Sequence, residues 1–137
     1  MDLKTLQRYP VLRAELDQLG QMIQEIEAAL YYPGAQQLTD MPKVQAPPGN
    51  NRQDTLAHRH MSLVARYQDK QAELEATLLK IEQDLDSLDD PEARLLLRAW
   101  YIQGLPAEQI GKILHYSRRT VYRRLEEYIA QIEEGII

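Results

Sequence analysis

Apolar positions recur along the chain in two helical rhythms. The first runs through Leu12, Leu16, Leu19, Ile23, Ile26 and Leu30, whose alternating steps of four and three lay one stripe along a helix. Proline is tolerated in a first turn and biases the preceding residue away from helical angles. Pro10 therefore predicts a start near residue 10, and Pro33-Gly34 an end. The second stripe, Val64, Tyr67, Gln71, Leu74, Leu78, Ile81, Leu85 and Leu88, predicts a helix over about 53 to 88, with Asp54 or Asn51 available as N-cap. Residues 32 to 51 are rich in proline and lack apolar periodicity, so they read as an irregular connection with Leu38, Met41 and Val44 as modest anchors. At ~1.5 Å per residue the first helix is about 33 Å long and the second about 54 Å, so the second outruns an antiparallel pairing. An apolar stripe left facing water needs a cover, and a second copy of the chain is the economical one.

Asp89-Asp90-Pro91-Glu92 then resets the chain, with Asp90 as N-cap, Pro91 as first helical residue and Glu92 as a favourable first-turn charge. Three short helices are predicted, at about 91 to 102, 106 to 114 and 118 to 133, separated by Gln103-Gly104-Leu105 and His115-Tyr116-Ser117. Ile110, Ile113, Leu114, Tyr116, Val121, Leu125 and Tyr128 suit the packing of the last two across a three-residue turn, with Gly111 where they cross. Leu95, Leu96, Trp100 and Ile102 would close that core from the preceding helix. The expected fold is all-α: a long antiparallel, coiled-coil-like hairpin over residues 1–89, which sets the oligomeric state, and a helix-turn-helix domain over 90–137.

Chemistry enters with the last helix. Ser117 is a good N-cap, and with Val121 and Leu125 inward, Arg118, Arg119, Tyr122 and Arg123 face out. Two arginines in the first turn oppose the helix dipole, and Arg119 with Arg123 is a like-charge pair at i, i+4; a phosphate or a guanine edge reverses both penalties. The alternative is a solvated basic face. Charge distribution favours an anionic partner: the net charge of -5 divides into -6 over residues 1–91, +5 over 92–125 and -4 over 126–137.

Other chemistries find little support in the residues. With no cysteine there are no disulfides or thiolate metal sites, and stability rests on packing. His58 and His60, at i, i+2, point to different sides of a helix and make poor joint ligands. Asp84, Asp86, Asp89 and Asp90 lack the glycine and closing glutamate of a calcium loop. No phosphate loop or nucleophile–base pair is visible, so neither an enzyme nor a cofactor is expected. The sequence lacks both a membrane-length apolar run and a signal-peptide start, and the chain reads as cytosolic.

The stretches Leu97-Arg98-Ala99-Trp100-Tyr101-Ile102-Gln103-Gly104, Glu108-Gln109-Ile110-Gly111 and Tyr116-Ser117-Arg118-Arg119-Thr120-Val121-Tyr122 resemble region 4 of sigma-70-type factors. More narrowly they resemble the phage ArpU/RinA family of late transcription regulators, to which Tyr9-Pro10, Asp40-Met41-Pro42 and the long second helix are also similar. The resemblance implies that Arg118, Arg119, Thr120, Tyr122 and Arg123 contact DNA, with Lys112 near the backbone; the cap residue Ser117 completes the candidate set. His115 departs from the small residue often found in the turn.

The resulting expectation is a sequence-specific DNA-binding regulator of phage or prophage genes, an activator by preference, acting as a dimer on double-stranded DNA and, as the sigma resemblance implies, touching RNA polymerase. The rival readings are a small terminase-like DNA-packaging recognition subunit and a helical protein–protein adaptor that binds no DNA.

Overall fold

Helix α1 runs Leu3–Tyr31 and carries Pro10 in its interior. The early start is a correction to the sequence reading, and burial explains it: Leu6 and Tyr9, both ahead of Pro10, are almost wholly removed from water. Each such side chain contributes roughly 1.5–3 kcal/mol, enough together to offset the ~3 kcal/mol that an interior proline costs. Asp2 also secures the end, its carboxylate accepting from the Lys4 N–H at 3.1 Å and the Thr5 hydroxyl at 3.0 Å. Those bonds hold the Asp2 carboxyl below the ordinary carboxylate range.

The computed structural model describes residues 1–31 and 52–137; the connection expected at 32–51 lies outside the described residues. Those described are helices joined by short turns, with no strand among them. Helix α2, Arg52–Asp86, forms a long N-terminal pair with α1. Asp54 thus falls within the first turn of α2 rather than at its cap. Helix α3, Pro91–Leu97, continues into a π-helical turn, Arg98–Ile102, and α4, Ala107–Leu114, and α5, Arg118–Glu133, follow.

Packing divides the chain into two compact units: Met1–Arg13 with Glu73–Ile137, and Ala14–Ala72. The boundary expected between residues 89 and 90 therefore runs through the first of them. In the Ala14–Ala72 unit, Leu19, Ile26 and Leu63 are buried together, with Ile23, Leu30 and Tyr67 against them. Leu63 takes the buried place expected of Val64, which is half-buried, and Gln71 faces solvent. Lys70 pairs with Glu15 at 2.9 Å, and His60 with Glu27 at 3.0 Å.

In the other unit, Leu6 and Tyr9 of α1, Ile81 and Leu85 near the end of α2, and Leu88 just beyond it share one core with Leu96, Leu97, Ile110, Val121, Leu125 and Tyr128. The end of α2 is thus covered within the same chain, by the start of α1 and by the short helices. Arg98 ties this region together, making three hydrogen bonds to the Glu82 carboxylate, from Nε to both oxygens at 3.1 and 3.3 Å and from Nη2 to one at 2.9 Å, and lying 3.7 Å from Asp86. That hydrogen bonding raises the proton affinity of the guanidinium further.

Candidate nucleic-acid interface

The geometry of the last two helices begins at the turn between them. Helix α4 ends on His115, which adopts a left-handed backbone (φ 59°), and the N–H groups of His115 and Tyr116 both donate to the Gly111 carbonyl, the latter at 2.8 Å. Histidine is among the few non-glycine types enriched in that conformation, so the departure noted in the sequence is accommodated by the backbone. Ser117 then caps α5, its hydroxyl oxygen accepting from the Thr120 N–H at 3.3 Å. The Ser117 and Thr120 hydroxyls also lie 2.9 Å apart, so these two candidates bond to each other.

Helix α5 separates two faces. Val121, Leu125, Tyr128 and Ile132 are buried, whereas Arg118, Arg119, Tyr122 and Arg123 are exposed and Thr120 is half-buried. Lys112 is exposed on α4. The inward face of that short helix is made by Ala107, Ile110 and Gly111, which leaves Ile113 on its rim and half exposed, against the expectation that it packs. Arg119, Thr120, Tyr122, Arg123 and Glu126 line a shallow depression of about 460 Å³.

The exposed cations differ in what holds them. Arg118 lies 3.6 Å from Glu108 and 5.6 Å over the Tyr122 ring, and Arg123 lies 4.0 Å from Glu127. Arg119 and Lys112 have no ion-pair partner among the described residues. Tyr122 in turn packs edge-to-face with Trp100, the ring centroids 5.9 Å apart and the planes at 77°. The π turn, closed by the Gln103 N–H donating to the Arg98 carbonyl at 3.0 Å, carries Trp100, which packs against the core and also forms one wall of a cleft. Trp100 is accordingly half-buried.

Not all of the basic block reaches this face. Arg94 donates to the Leu88 carbonyl, and Arg98 is engaged with Glu82. Arg124, to which the sequence reading assigns no role, turns back toward the start of α3: it lies 3.8 Å from Glu92, 3.7 Å from Glu127 and 5.9 Å over the Tyr116 ring. The Tyr128 hydroxyl completes this junction, lying 3.0 Å from the Asp90 carboxylate and 2.9 Å from that of Glu92 as donor. Burial first, and then these two carboxylates, push the Tyr128 phenol well above its ordinary value. The spacing of α5 predicts an inward position for Leu125 and Tyr128 but says nothing of the acidic cap that awaits Arg124 across the fold. Lys112, Arg118, Arg119 and Arg123 remain as the cations available to an outside anion.

Among the described residues no three His, Asp or Glu side chains are grouped to hold a metal ion, and no helix is long and apolar enough to cross a membrane. Comparison with protein families, with characterised proteins and with solved structures gives no match.

Proposed function

We propose that the chain is a sequence-specific DNA-binding transcription regulator whose α4–turn–α5 segment is a helix-turn-helix, with α5 docking in the major groove. The observation that carries this reading is the division of α5: a buried apolar face, and an outward face on which Arg118, Arg119, Tyr122 and Arg123 stand together behind a Ser117-capped first turn. Arginine suits both partners that such a face meets, pairing bidentately with the O6 and N7 of guanine and with phosphate. Phosphate contacts from Lys112 and the arginines would supply most of the affinity, and base contacts from the outward face the choice of sequence. The acidic remainder of the chain repels the polyanion elsewhere and restricts docking to this face.

In this reading the long pair is an antiparallel hairpin that supports the DNA-binding unit. Its ion pairs favour that sense, because Glu15 meets Lys70 while the later Glu27 meets the earlier His60. The genes regulated are those of a phage or prophage, a reading carried by the family resemblance of the motifs. Fluorescence anisotropy of labelled fragments from upstream of the neighbouring gene blocks tests the proposal. One fragment should bind in preference to the others and to a shuffled control, with affinity falling steeply as salt rises; salt-independent or absent binding to every fragment at low salt contradicts it and favours the adaptor reading.

A further inference from the structure

The exposed charges on the α4 flank that carries Lys112, and on the first turn of α5, are cationic with one exception. Glu108 stands one helical turn before Lys112, and its carboxylate lies 3.6 Å from the Arg118 guanidinium with both side chains more than half exposed. Arg118 is also positioned from behind, over the ring of Tyr122, which packs edge-to-face with Trp100. Trp100, Tyr122, Arg118 and Glu108 all line one open cleft of about 420 Å³.

Resting on the DNA-binding reading, we propose that Glu108 is an internal competitor for the phosphodiester that Arg118 takes up on docking. In the free protein the carboxylate sits at ion-pair distance from Arg118, on the side that a phosphate would approach. When DNA arrives, a phosphate oxygen replaces it, and the Tyr122 ring keeps the guanidinium oriented during the exchange. An ion pair this exposed is weak, so the carboxylate yields rather than blocks. Its effect is to set affinity: Glu108 lowers binding to any sequence, since the contact it competes with is to the backbone, and leaves base selection to Arg119 and Arg123. A purely structural role is the alternative. As an acidic residue in the first turn of α4, which begins after Pro106 and has no side-chain cap, Glu108 also complements the helix dipole.

Affinity for a short fluorescein-labelled duplex of arbitrary sequence, measured at low salt for the wild type, E108Q, R118Q and the double variant, separates these roles. Competition predicts that E108Q binds about two- to fivefold more tightly than the wild type, and that the gain falls below about twofold when Arg118 is already Gln. Unchanged or weaker binding by E108Q, or an equal gain in both backgrounds, overturns the proposal; a lower melting temperature with unchanged affinity assigns Glu108 to the helix end alone. Failure of the wild type and all variants to bind any duplex overturns the DNA-binding reading itself, and this proposal with it.

Discussion

A Cβ atom built on Gly111 would stand 2.5 Å from the carbonyl oxygen of Tyr116. The obstacle is backbone, in the very turn that aims α5, so it cannot swing aside as a side chain would. Gly111→Ala must therefore shift the turn or separate α4 from α5, and is expected to cost about 1–3 kcal/mol, the usual range for overpacking. Urea denaturation followed by circular dichroism checks this; an unchanged midpoint would mean that the two helices do not cross as closely as described.

Pro10 gives a prediction of the opposite sign. It lies exposed inside α1, where the Leu6 carbonyl lacks the N–H that any other residue at position 10 would offer. Pro10→Ala restores that bond without removing a buried contact, and should stabilise the chain by about 1–3 kcal/mol. A lower melting temperature for the variant would argue that α1 starts at residue 10 after all.

The junction of Tyr128 with Asp90 and Glu92 predicts a dependence on alkaline pH. The folded chain holds the phenolic proton more tightly than the unfolded chain, whose tyrosine titrates near 10.0. The stabilisation is fully present below that value and is lost as pH rises from there through the raised folded value, because a phenolate would be buried and would face two carboxylates. Melting temperatures from about pH 8 to about pH 11 should fall more steeply for the wild type than for Tyr128→Phe. Parallel curves would remove Tyr128 from the account.

Much of the C-terminal organisation could be read directly, because its signals are local. Asp90 and Ser117 cap the helices they were expected to cap, and α5 begins where the serine places it. What escaped the sequence depends on contacts between distant residues. Pro10 looks like a start until Leu6 and Tyr9 find a core to enter, and the surplus of α2 looks unpartnered until the short helices fold back over Ile81 and Leu85. The register at Leu63 shifts by one position because Leu19 and Ile26 favour it over Val64. Among the arginines, sequence spacing separates inward from outward positions but does not reveal that Glu92 draws Arg124 toward α3, or that the π turn brings Trp100 beside Tyr122.

That distinction among arginines separates a binding role from a structural one. Arg124→Ala removes the counterion nearest a Glu92 oxygen that is buried and accepts no hydrogen bond, so it should lower the urea midpoint. Arg119→Ala and Arg123→Ala alter exposed side chains and should leave that midpoint nearly unchanged.

The central claim, that the outward face of α5 meets DNA, is tested most directly by the salt dependence of binding for Arg119→Ala and Arg123→Ala beside the wild type on the preferred fragment. Each loss of a phosphate contact should weaken binding and reduce the slope of log affinity against log salt by about one, whereas loss of a base contact should cost about 1–3 kcal/mol on the preferred fragment and little on a shuffled one. Affinity and slope unchanged in both variants would contradict the claim.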